Sequence, residues 1–199
     1  SGDTTGWKKA SGTQGNWSGD SGQGTLKVTS VDGTSRAWKS VGATSYTIEA
    51  RLKVDADYRQ GRVIYSNADQ DESSRIDLAF NSNLVGLQTP NGSFTVPLPF
   101  TLYPNTWYYV RVEVLPYTIN TYVNGTPAHQ GVSLGSQIPN GRVGVGSDGD
   151  THSAEFDYVV VLNGAGTPPI DPLLNGLISY WPLDNNANDM EGRNPNHGT

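Results

Sequence analysis

The chain of 199 residues has no cysteine and one methionine, and only 16% of it is charged. Without cysteine there is no disulfide, no thiolate metal site and no thiol nucleophile, a pattern that suits a bacterial exported protein among others. Histidine is scarce too. His129, His152 and His197 are the whole supply, and none forms a nucleophile or metal-ligand motif with a serine or glutamate. No apolar run is long enough to span a bilayer, and no signal-peptide pattern opens the chain, so no membrane partner is expected. The start on Ser1-Gly2-Asp3 without Met is what a processed or cut product would show. Basic residues are few: 13 Lys and Arg stand against 19 Asp and Glu, for a net charge of −6. Phosphate contacts need a basic footprint, so the balance argues against a nucleic-acid partner.

What the chain does have is turn chemistry and aromatics, with 24 Gly, 12 Pro, 10 Tyr and 5 Trp. Between the turns lie short segments of period two. Tyr46, Ile48, Ala50, Leu52 and Val54 alternate with Thr47, Glu49, Arg51 and Lys53; Ile76, Leu78 and Phe80 alternate along 75–80. The clearest strand runs from Trp107 to Leu115, with Tyr108, Val110, Val112 and Val114 on one face and Trp107, Tyr109, Arg111 and Glu113 on the other. Further strands are expected at 25–29, 62–66, 83–88, 93–96, 118–123, 142–146 and 154–162, with a tight turn at Asn124-Gly125. Each strand needs one buried face, and two stacked sheets supply it. The expected fold is all-β, a two-sheet antiparallel β-sandwich of jelly-roll type over residues 1–163. His129 is expected in a loop after a hairpin, and Trp7 and Trp107 in the core or at its margin.

A Pro/Gly-rich linker, residues 164–175, separates this body from GLISYWPLDNNANDMEGRNPNHGT, residues 176–199. The strand-like start of that segment carries bulky apolar groups on both faces, including Leu177, Ile178, Tyr180 and Trp181, so both faces require cover. It reads as the opening of a second module. Its cover comes either from the first module or from further modules or a neighbouring chain, and Trp181 is expected to be buried.

The residues just quoted, with YWPLD, ND and NHG in order, resemble the first strand and loop of laminin-G-like domains of the concanavalin A-like lectin/glucanase class. In the first body, NTWYYVRV (105–112) followed by TINTYVNG (118–125) resembles the central hairpin of that fold. EFDYVV (155–160) resembles its closing strand and DTTGW (3–7) its opening one. The resemblance implies a jelly roll, extracellular or at the cell surface, with carbohydrate binding on a concave sheet face and a structural calcium ion. The ion would tie Asp3 to Asp157, two hard oxygen ligands suited to calcium, with the loop containing Asp148 and Asp150 as an alternative. The Glu-x-Asp-x-x-Glu run of jelly-roll glycoside hydrolases is absent, as are the strands expected of jelly-roll alginate lyases.

If the strands share a sheet, the outward positions gather Arg51, Arg75, Tyr109, Arg111 and Glu113 on one face. Tyr and Trp stack on pyranose rings, and Arg holds carboxylate or sulfate with two parallel hydrogen bonds, so this face would suit an anionic polysaccharide of uronate or sulfated type. The other reading is a ladder of ion pairs that merely solvates an exposed face. Three functions stay open: a non-catalytic carbohydrate-binding module of a secreted multimodular protein, a structural or adhesive sandwich without a sugar site, and a polysaccharide lyase using Tyr109 as base beside Arg111.

Overall fold

The computed structural model describes residues 8–9, 15–20, 25–30, 34–40, 44–55, 60–66, 75–79, 82–137, 142–148, 153–164 and 177–182. The side chains of most of the first four segments and of the last lie outside the description. The described residues form fifteen strands in two antiparallel sheets. The seven-stranded sheet runs β1 (Lys8–Lys9), β4 (Thr34–Ser40), β13 (Arg142–Asp148), β6 (Gln60–Ile64), β7 (Arg75–Ala79), β8 (Leu84–Thr89), β9 (Gly92–Pro97). The eight-stranded sheet runs β12 (Thr126–Ser133), β11 (Thr118–Val123), β10 (Tyr108–Val114), β5 (Tyr46–Val54), β14 (Ser153–Asn163), β3 (Thr25–Ser30), β2 (Gly15–Asp20), with β15 (Leu177–Pro182) added beside β14. This is the jelly-roll sandwich that the alternating segments predict. Among the described residues no helix is long and apolar enough to cross a membrane.

The core forms where the two inner faces meet. Tyr46, Ile48, Ala50, Leu52 and Val54 on β5 are fully buried, and Val110, Val112 and Val114 follow on β10. Val63, Ile76, Leu78, Val85, Leu87, Val143 and Val145 answer from the other sheet. Each such large side chain contributes roughly 1.5–3 kcal/mol of apolar transfer, offset by the entropy of ordering the chain. Tyr46 ties the two layers together, and Tyr65 ties the end of β6 to β8. The Tyr46 hydroxyl donates to the Tyr65 carbonyl, and the Tyr65 hydroxyl donates to the Gln88 carbonyl at 2.9 Å. Burial pushes the Tyr46 phenol well above its ordinary pKa, which keeps it a neutral donor. At Gly61 the other sheet comes close: a Cβ there would lie 2.7 Å from Leu52 Cδ1 and 3.1 Å from Val54 Cγ2.

The turn at Asn124 (φ 49°) and Gly125 (φ 77°) has the two positive φ values that a tight hairpin requires. β12, by contrast, has no period-two signature in TPAHQGVS, and it is a strand nonetheless. His129 therefore sits in a strand, not in a loop. Its backbone N–H donates to Thr121 Oγ1 at 3.1 Å, and Thr121 Oγ1 lies 2.8 Å from the ring Nδ1. At 4% exposure the ring is interior, filling space where an apolar residue would give the usual pattern. β2 and β4 also escape the sequence reading, because GNWSGD and TSRAWKS lack apolar alternation.

β14 is long enough to need two partners on one edge. β3 pairs with Ser153 to Phe156, and β15 takes the remainder, with Pro182 opposite Tyr158 and Leu177 opposite Leu162. The strand at the end of the chain thus completes the backbone hydrogen bonding of the first body's sheet. The side chain of Trp181, expected to be buried, lies outside the described residues.

Candidate functional site

The face of the eight-stranded sheet turned away from the core brings most of the candidate residues together. Register fixes the arrangement. Arg111 on β10 stands opposite Glu49 on β5 and Tyr122 on β11, and Glu49 stands opposite Val160 on β14. One row over, Tyr109 faces Arg51, and Arg51 faces Tyr158. A bulge between Phe156 and Tyr158 sets an extra residue, Asp157, into β14. Arg75 does not join them. It lies on β7 in the seven-stranded sheet, opposite Ile64 and Gln88. Two segments can both alternate and still belong to different layers.

Three cations of this face are each paired with a carboxylate, and a fourth, Lys27 on β3, stands opposite Glu155 in register. Arg51 Nη1 reaches Asp157 Oδ2 at 2.8 Å, Lys53 Nζ reaches Glu155 Oε2 at 2.8 Å, and Arg111 Nη2 reaches Glu113 Oε1 at 2.6 Å. Arg51 and Lys53 also lie 5.0 and 4.9 Å from the Trp107 ring centroid, which places that half-buried tryptophan on the sheet's outer margin. Glu113 is saturated, since Asn120 Nδ2 donates to its Oε2 at 2.9 Å and the Tyr122 hydroxyl at 3.2 Å. The Tyr122 ring lies 5.7 Å from the Arg111 guanidinium.

Glu49 is the exception. It is 4% exposed, and among the described residues it forms no ion pair. Tyr109 hydrogen-bonds to it, and its Oε1 is closed to solvent without a hydrogen-bond partner. Nε of Arg111, directly across the register, is likewise buried and unpartnered. Burial, then the Glu49 hydrogen bond and charge, push the Tyr109 phenol far above its ordinary pKa, while Arg111 opposes them.

Of the two calcium ligands the resemblance implies, Asp3 lies outside the described residues. So do the side chains of Asp148 and Asp150. Asp157 is described and holds Arg51, a cation that would compete with an ion. Among the described residues no three His, Asp or Glu side chains cluster as a metal site would require.

Sequence reading finds Tyr109, Arg111 and Glu113 through the alternation of β10. It passes over Tyr122, although the same alternation in 118–123 marks it as outward. Tyr158 it could not assign, because the bulge at Asp157 shifts the period by one.

Residues 11–169 match a model of the concanavalin A-like lectin/glucanases superfamily, in its Laminin_G_3 family. The chain belongs to this superfamily. No curated protein shows a significant sequence match to it. Among solved structures, the chain is similar to the carbohydrate-binding module CBM66 from Bacillus subtilis, with a TM-score of 0.58, 14% identity, and coverage of 78% of this chain and 94% of that one. It is similar to the carbohydrate recognition domain of Emp47p, at TM-score 0.56 and 14% identity over 83% of this chain and 91% of that one. A galactohydrolase named for a galactose-4-sulfate and 3,6-anhydrogalactose polymer gives TM-score 0.57 and 16% identity over 79% and 88%. At these identities the likeness concerns the fold.

Proposed function

We propose that this member of the superfamily is a non-catalytic carbohydrate-binding module that holds a neutral polysaccharide on the outer face of β5, β10, β11 and β14. In this reading it serves a secreted or cell-surface protein of several modules. The observation that carries the ligand class is the closure of charge. Among the described side chains of these four strands, the cations Arg51, Lys53 and Arg111 are each paired with a carboxylate, which leaves Lys27, at the margin on β3 opposite Glu155, as the remaining described cation of this face for a uronate or a sulfate. An anionic polymer bound at Arg51, Lys53 or Arg111 would set its own charge beside Asp157, Glu155 or Glu113. The half-buried rings of Tyr109, Tyr122 and Tyr158, with Trp107 at the margin, offer the apolar faces that sugar rings stack on. The fold likeness to a carbohydrate-binding module and a carbohydrate recognition domain supports the same reading.

A lyase would need Tyr109 as its base, and the rise of its pKa works against proton abstraction. Affinity gels cast with neutral, uronate and sulfated polymers test the proposal, with product assays alongside. Retention by neutral polymers that persists in high salt, without product, is the expected result. Salt-sensitive retention by anionic polymers alone would overturn the ligand class, product formation would restore the lyase, and silence on every gel would favour a structural or adhesive module. Calcium between Asp3 and Asp157 remains a proposal of its own, requiring Arg51 to release Asp157; it predicts a Tm that falls when chelator is added.

A further inference from the structure

We infer that Glu49 and Arg111 together read two neighbouring hydroxyl groups of one sugar ring, Glu49 Oε1 accepting from the first and Arg111 Nε donating to the second. This rests on the reading of the outer face as a carbohydrate site. Four polar side-chain atoms of the described residues are buried without a hydrogen-bond partner, and two of them, Glu49 Oε1 and Arg111 Nε, belong to residues in direct cross-strand register on this face. Such groups are rare because an unmade buried hydrogen bond destabilises the fold, more so when the group is charged. Here one is a pure acceptor and the other a pure donor.

The neighbouring groups do not relieve them. Glu113 occupies Nη2 of Arg111, and the Tyr109 hydroxyl serves Glu49. What remains is complementary to a pair of hydroxyls on adjacent carbons, each able to donate or accept. A single hydroxyl between them would satisfy both only with its oxygen at hydrogen-bond distance from each, whereas a diol divides the task. A carboxylate ligand would instead meet Glu49 with like charge.

Both atoms are closed to solvent, so a ligand must move a side chain to reach them. Tyr122 is the weakest-held cover. It lies over Arg111, and its hydroxyl makes only long contacts, 3.2 Å to Glu113 and 3.4 Å to Gln130. Moving it aside would break its contact with Glu113 Oε2 but not the Arg111–Glu113 pair, which uses Oε1.

Polymer linkage supplies the test. Backbone residues of a linear 1,3-linked glucan carry no two free hydroxyls on adjacent carbons, whereas those of 1,4-linked xylan, mannan and galactan keep the 2,3-diol. Affinity gels of these four polymers are run with the wild-type chain and with Glu49→Gln, Arg111→Lys and, as a control on the other sheet, Arg75→Gln. The expected result is retention by one or more of the 1,4-linked polymers and at least tenfold weaker retention by the 1,3-glucan. Glu49→Gln and Arg111→Lys should each lose at least tenfold, and Arg75→Gln should retain binding. Glu49→Gln should melt at or above the wild-type temperature, because it removes an uncompensated buried charge. Equal retention on 1,3- and 1,4-linked polymers, or a Glu49→Gln chain that folds and binds as wild type, overturns the inference while leaving the carbohydrate site standing. A wild-type chain retained by no neutral polymer removes the site and the inference together.

Discussion

Replacing His129 should make the stability of this fold less dependent on pH between neutral and mildly acidic conditions. The ring is 4% exposed on β12, with Nδ1 2.8 Å from Thr121 Oγ1. Because the Thr121 hydroxyl already accepts from the His129 backbone N–H, its own proton can go to Nδ1, which makes the ring a neutral acceptor there. Burial holds its pKa below 6.5, and the Phe94 backbone pulls back more weakly. The unfolded chain therefore binds a proton that the folded chain resists. Its contribution is fully present above pH about 6.5 and is lost as pH falls toward the folded pKa. Between pH about 7.5 and about 5.5 one such group removes at most about 1.4 kcal/mol, and less if the folded pKa lies within that window. Urea unfolding at the two pH values, for wild type and His129→Gln, measures the difference. The wild type should lose up to that amount more than the variant. Identical losses would refute the reasoning, because carboxylates and the other histidines are common to both chains.

Glu113→Gln should destabilise by about 2–3 kcal/mol, since it strips the charge partner from Arg111 at a nearly buried site; urea unfolding at neutral pH checks it. Gly61→Ala should cost about 1–3 kcal/mol through overpacking against Leu52 and Val54, read as a lower Tm with unchanged circular dichroism. Asp157→Asn should change stability by less than about 1 kcal/mol, because its pair with Arg51 is largely exposed. The same variant should abolish any chelator sensitivity of the Tm if Asp157 carries calcium. If the Trp107 ring lies at the edge of the sugar site, its fluorescence should change on adding a retained polymer, and Trp107→Phe should remove that change.

The sequence alone determined the layers and most of the strands, because burial on a strand has a period of two and leaves a local imprint. Tyr46 to Val54 and Tyr108 to Val114 sort their faces without reference to anything distant, and Asn124-Gly125 announces its turn. The outward placement of Tyr109, Arg111 and Glu113 follows from the same imprint. What no local pattern carries is which strand lies beside which. Only the tertiary structure separated Arg75 from Arg111, placing them in different sheets. It also aligned Glu49 with Arg111, set Asp157 into a bulge, and turned the loop around His129 into an edge strand that buries the His129 ring. Those outcomes depend on register between segments tens of residues apart. They decide whether a charge on the outer face is partnered, and with it which ligand that face can hold.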